Sequence, residues 1–228
     1  FYYNKTNSAL SSNFVMSIHQ DKDNNLLVGF NNAGLDVINI KNDEFELTNY
    51  KQELTGTLVF STYTDAENIT WITSNSGLNR LENGNITQYK IKSGLPSDIC
   101  YDVLEDDMGN VWISSNVGVM RIAKQELNDF AKGKVEKINT VKVFNQADGM
   151  ISKDCTGAAF SIKTLDGYLM FPTLSGLTFI NPDNITDNKI KPLVHIEKLE
   201  VDNQGVGIYE EIKIQSGKQR LTLHFTAI

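Results

Sequence analysis

Cysteine is nearly absent from this chain: Cys100 and Cys155 are the only two among 228 residues. Two thiols are too few for a disulfide framework or a thiolate metal site. They fall at matching places, in SDIC and SKDC, so a single bridge and two separately buried thiols both stay open. The three histidines, His19, His195 and His224, are scattered. They form no Ser/His/Asp or Cys/His set and no two-His metal spacing. Nothing in the sequence asks for a cofactor or a metal. No run of about 18 apolar residues occurs, which excludes a helical membrane span within this stretch. No basic segment followed by an apolar stretch opens the chain, and its start on FYYNK reads as the middle of a strand. A piece of a longer protein is therefore expected. Basic clusters are missing as well. The 21 Lys and Arg face 28 Asp and Glu, a formal net charge of −7. An acidic chain without a basic stripe is poorly suited to gripping phosphate backbones, whereas a neutral sugar is not repelled.

What the chain has is a repeat. ENITWITSNSGLNRL (67–81) returns as GNVWISSNVGVMRI (109–122), with Trp71 and Trp112, Asn75 and Asn116, and Gly77 and Gly118 each 41 residues apart. NNLLVGFNNAGLDVI (24–38) is an earlier copy anchored on Gly34, and GYLMFPTLSGLTFI (167–180) a later one anchored on Gly176. In three copies an Asp stands six residues before the large residue: Asp21 before Leu27, Asp65 before Trp71, Asp106 before Trp112. Each copy reads as a strand, a turn rich in Asp, Asn and Gly, a second strand, a polar turn ending on the anchor glycine, and a third strand. A fourth follows in the first two copies, FELTNY (45–50) and ITQYK (86–90). The turn residues tolerate left-handed dihedrals and bond their own backbone. Apolar positions alternate or run continuously, without helical periodicity.

About four short strands per unit of roughly 40–45 residues is the pattern of a β-propeller blade. A β-sandwich also has many short strands, but has no reason to repeat a Trp, an Asn and a Gly at equal intervals. The expected fold is all-β: about four four-stranded blades over residues 1–185, part of a seven-bladed propeller. A connector at 186–192 and the start of a β-sandwich at 193–228 follow. AKQELNDFAKGKV (123–135) carries the one helical signal, with Leu127 and Phe130 on one face and Gly133 as a stop.

DDMGNVWISSNVGVMRI resembles the two-component regulator propeller repeat, in which each blade reads approximately D-x-x-G-N-hydrophobic-W-[IV]-G-T-x-x-G-[LI]. GLPSD (94–98) and LSSN (10–13) are similar to that family's lead-in to each first strand, and the segment from Pro192 onward to the opening of the tyrosine-named β-sandwich that follows its propellers. Leu27 and Met170 replace the Trp in the outer copies. The resemblance implies a periplasmic sensor region of a hybrid two-component regulator in a Gram-negative bacterium. It implies an oligosaccharide ligand, a homodimeric membrane-spanning parent and a downstream histidine kinase. This region itself would contact neither membrane nor nucleic acid.

Propeller ligands commonly sit at one face, over the central channel. The turns before the anchor glycines (Asn31, Asn32, Asn75, Asn116) share a face with the lead-ins to the first strands (Asn13, Ser97, Asp98, Lys153, Asp154). These nine are the candidate ligand-binding residues, since Asn, Ser and Asp supply what sugar hydroxyls need. Plain turn chemistry accounts for the same residues. Trp71 and Trp112 are expected to pack between blades rather than stack on a sugar. DKDNN (21–25) has the alternate spacing of a calcium loop, yet reads equally as a hairpin turn, and its twelfth position is Asn32 rather than Glu. No catalytic residue is singled out. A propeller lyase or hydrolase would need a Tyr/His/Arg or dicarboxylate cluster at the channel mouth, and a scaffold for protein partners would bind no glycan.

Overall fold

The repeat unit is a four-stranded antiparallel sheet. The computed structural model describes residues 3–41, 44–185, 193–206, 217 and 220–227. The first blade holds β1 (Val15–Gln20), β2 (Leu26–Phe30), β3 (Leu35–Lys41) and β4 (Glu44–Asn49). The second holds β5 (Val59–Thr64), β6 (Thr70–Ser74), β7 (Gly77–Glu82) and β8 (Asn85–Tyr89). The third holds β9 (Cys100–Glu105), β10 (Asn110–Ser115) and β11 (Gly118–Ala123), then helix α1 (Lys124–Ala131), then β12 (Lys142–Phe144). The fourth has three strands, β13 (Ile162–Lys163), β14 (Leu169–Thr173) and β15 (Gly176–Ile180). In each of these four sheets the strands pair in chain order, as the repeat predicts. The chain divides into two compact units, 1–184 and 185–228. The second is an antiparallel sheet of β16 (Val194–Val201), β17 (Gln204–Val206) and β18 (Leu221–Ala227), ordered β17-β16-β18. The expected connector at 186–192 lies outside the described residues.

The core of the first unit lies between blades. All five residues of β6 are buried, because neighbours cover both of its faces. Trp71 joins a cluster with Tyr89, Cys100, Val103, Ile113 and Met120 of the second and third blades. Ile72, on the other face, packs with Leu27, Leu35 and Val59 of the first and second. Trp71 and Trp112 are wholly buried, so neither indole can meet a ligand. The two cysteines are buried and unbonded.

The spacing of six between Asp and Trp has a direct cause. One Asp106 oxygen accepts the Met108 and Asn110 N–H groups at 2.9 and 2.8 Å and so closes the turn. The other accepts the Trp112 indole N–H at 2.7 Å. Asp65 does the same for Glu67, Ile69 and Trp71, the indole at 3.0 Å. Each carboxylate thus satisfies both the turn backbone and the polar edge of a core aromatic, which would otherwise be an orphaned donor. In the first blade Asp21 accepts from Asp23 and Asn25, so DKDNN folds as a turn.

The second turn carries a signal the sequence pattern contained but the glycine anchors hid: a hydroxyl three residues before the glycine. Ser74, Ser115 and Thr173 donate to the carbonyls of Gly77, Gly118 and Gly176 at 2.9, 2.6 and 3.0 Å. Gly118 has φ +128°. A Cβ there would lie under 3.0 Å from the Phe144 carbonyl oxygen of β12, whereas one on Gly109 would meet nothing within 4 Å. Both glycines have positive φ, so each substitution strains the backbone, but only one also collides. Gly118→Ala is expected to cost at least about 2 kcal/mol, and Gly109→Ala about 1 kcal/mol, in urea unfolding.

Candidate functional site

In each blade the lead-in to the innermost strand meets the turn between the second and third strands. The Asn31 N–H bonds the Phe14 carbonyl at 3.0 Å and the Asn75 N–H bonds Leu58 at 3.2 Å. The Ser97 hydroxyl donates to the Asn116 amide oxygen at 2.7 Å, and the Leu174 N–H bonds the Asp154 carbonyl at 2.9 Å. The nine candidate residues are therefore brought to matching blade ends. Much of their hydrogen-bonding capacity serves their own loops. Asp98 accepts the Ile91 N–H at 2.7 Å, Asn13 accepts Lys5 N–H at 2.7 Å, and Asn32 accepts the Thr57 hydroxyl at 3.1 Å. Asn75 accepts Leu58 N–H at a long 3.4 Å and is exposed, as are Asn13, Asn31, Asn32 and Lys153. Asn32 takes its left-handed conformation, φ +70°, as turn chemistry requires. Turn formation explains the residue types, while the exposed amides stay available.

A second polar constellation was not visible in the sequence. Residues 17–19 of β1, 61–63 of β5 and 102–104 of β9, with Phe160 and Ser161 ahead of β13, line a cavity of about 260 Å³. The three innermost strands place equivalent residues there. Ser17 stands opposite Gly29, Ser61 opposite Thr73 and Asp102 opposite Ser114, each just past a bulge. A bulge sends two consecutive residues against one partner and re-aims the side chains beyond it. Asp102 accepts the Val103 N–H at 2.9 Å and the N–H of Ser161 from the fourth blade. Burial pushes its carboxyl above the usual carboxylate range, partly offset by the Ser61 hydroxyl and these two N–H groups. No lysine or arginine lines the cavity. Burial, partly opposed by Asp21, lowers His19, so its imidazole is neutral at neutral pH. The hydroxyls of Ser17 and Thr62 are buried without a hydrogen-bond partner.

Among the described residues, no three His, Cys, Asp or Glu side chains gather as a metal site, and no helix is long and apolar enough to cross a membrane. The polar groups of the cavity offer donors and acceptors to a neutral ligand.

Residues 9–32 match the family model described as two component regulator propeller. A histidine kinase, P4, from Formosa agariphila is 27% identical over 116 residues, covering 51% of this chain and 8% of that protein. The extracellular domain of the hybrid two component system BT3049 from B. thetaiotaomicron superposes with a TM-score of 0.70 at 22% identity, over 92% of this chain and 28% of that one. Virginiamycin B lyase from Staphylococcus aureus superposes with a TM-score of 0.51 at 16% identity, over 75% of this chain and 56% of the enzyme. The chain thus spans a small part of its signalling relatives and shares its blade architecture with propellers of more than one kind. Residues 9–32 are similar to the two component regulator propeller repeat, and the blades share the fold of the BT3049 extracellular domain.

Proposed function

We propose that this propeller segment belongs to the extracytoplasmic, periplasmic sensor region of a hybrid two-component signalling protein of a Gram-negative bacterium. It binds an oligosaccharide or related glycan breakdown product and relays the event to a downstream histidine kinase that regulates transcription. The observation that carries this reading is the superposition of 92% of the chain on an extracellular domain of a hybrid two component system. The acidic balance and the exposed amides at the blade ends favour a neutral polyhydroxylated ligand over a phosphorylated or sulfated one. The ligand acts by preferring one arrangement of the homodimeric parent, and shifts that equilibrium by no more than its affinity difference between the two states.

The test is calorimetry and thermal unfolding of the extracytoplasmic region of the parent protein against an oligosaccharide panel, with chromatography of each sugar after incubation. A cognate glycan at a hundredfold above its Kd raises Tm by roughly 5–10 °C and is recovered intact. Conversion of any glycan would instead place the protein with the propeller enzymes. A panel that binds nowhere would leave a protein-interaction scaffold as the better account.

A further inference from the structure

We infer that the cavity between the innermost strands is a second ligand site, distinct from the blade-end turns, that takes a single neutral sugar ring or a polyol of that size. Buried polar groups in the lining lack partners within the protein. A carboxylate has about four acceptor positions. Asp102 is met by the Val103 N–H, the Ser161 N–H and the Ser61 and Ser161 hydroxyls, so the protein fills its acceptor positions. The Ser17 and Thr62 hydroxyls in the lining, on residues only 5% and 7% exposed, have no partner. Buried hydroxyls are rarely left so. A group that both donates and accepts matches this set, and a sugar hydroxyl does both.

Charge and shape narrow the ligand further. With a carboxylate and no lysine or arginine in the lining, the cavity disfavours phosphate, sulfate and carboxylate ligands. Its 260 Å³ lies just below the roughly 300–1,000 Å³ of drug-sized pockets, which suits one ring rather than a chain. Phe160, 62% exposed, and Tyr63 lie in the lining and give the apolar face of a ring something to pack on. The site draws on four blades at once, so a bound ring ties them together.

The experiment is titration of the protein with glucose, galactose, N-acetylglucosamine and myo-inositol by calorimetry. At least one is expected to bind. Thr62→Val is the informative variant: it keeps the shape and removes a hydroxyl that no protein group uses. It is expected to weaken binding about threefold to tenfold with Tm unchanged or raised. Asp102→Asn is expected to weaken it by tenfold or more, and where that variant also loses stability, Thr62→Val decides. The paired substitution Asn75→Ala with Asn116→Ala leaves this binding unaltered. Binding of none of the four, meaning a cavity that holds water only, overturns the site. So does binding that Thr62→Val leaves untouched, or that the Asn pair abolishes. None of these outcomes touches the sensor reading, which stands or falls on oligosaccharide binding by the extracytoplasmic region.

Discussion

Trp112→Ala is expected to lower the unfolding free energy by about 3–5 kcal/mol, among the largest effects available to a single substitution here. The indole is wholly buried and stacks on Phe144 with ring centroids 5.3 Å apart and planes at 25°. The Arg121 guanidinium lies over the same ring at 5.9 Å. Truncation opens a cavity, removes a stacking partner from β12 and strips the Asp106 carboxylate of its indole donor. Trp112→Phe separates these terms. It retains most of the volume but not the N–H, so its loss should be well under half that of alanine, about 1–2 kcal/mol. Chemical denaturation with an unchanged m-value is the measurement. If alanine and phenylalanine proved equally costly, the hydrogen bond rather than the packing would be dominant.

The second large effect belongs to Lys124. Its side chain is 8% exposed and its ammonium lies 2.8 Å from Asp65, 3.1 Å from Glu105 and 3.3 Å from Glu67. The Asp65 side chain is fully buried. Burial alone would lower the lysine, but the Asp65 and Glu105 carboxylates outweigh it and hold the ammonium charged beyond its ordinary range. Burial alone would likewise raise Asp65. Instead Lys124, the Ile69 N–H and the Trp71 indole hold it below the usual carboxylate range. Lys124→Met removes the cation and strands a buried carboxylate, at an expected cost of about 3–5 kcal/mol. Adding Asp65→Asn should recover part of that loss.

The pH dependence gives an independent reading. A carboxylate held below its unfolded value contributes stability that is present above the unfolded pKa and lost as pH falls through the folded one. The native protein therefore loses this contribution on acidification below about pH 4. In Lys124→Met burial of Asp65 is less opposed, and the sign reverses: acidification then relieves the stranded charge. Urea midpoints at pH 3 and pH 7 should thus lie closer together in the variant than in the native protein. A gap of unchanged size would mean that Lys124 and Asp65 are not coupled.

The blades were legible because a blade is closed by local contacts. Asp, Asn and Gly at hairpin positions write the turns into the chain directly, and the equal spacing of Trp71 and Trp112 betrays strands buried on both faces. The candidate ligand face was legible only as an end of the blades, since Asn75 or Ser97 in a turn looks the same whether it bonds a ligand or its own loop. The cavity among the innermost strands was hidden. Ser17, Ser61 and Asp102 are some forty residues apart and meet through register beyond a bulge. The repeat marks Asp106 by its spacing of six to Trp112, but nothing in ICYDVLED marks Asp102. Lys124 did leave a local trace. It opens helix α1, where a cation opposes the helix dipole. A residue so badly placed for its own helix points to partners elsewhere.

The bulges have another consequence. Ladder register slips between Val15 and Ser17, between Val59 and Ser61, and beside Cys100, at one level in the innermost strands of the first three blades. An innermost strand of an antiparallel blade has a bare edge, a row of donors and acceptors that a stray strand from another polypeptide would find inviting. An interruption in that row, with extra local twist, spoils the template. The same irregularity that gathers Ser17, Ser61 and Asp102 therefore also guards the rims of these three sheets against intermolecular pairing and aggregation.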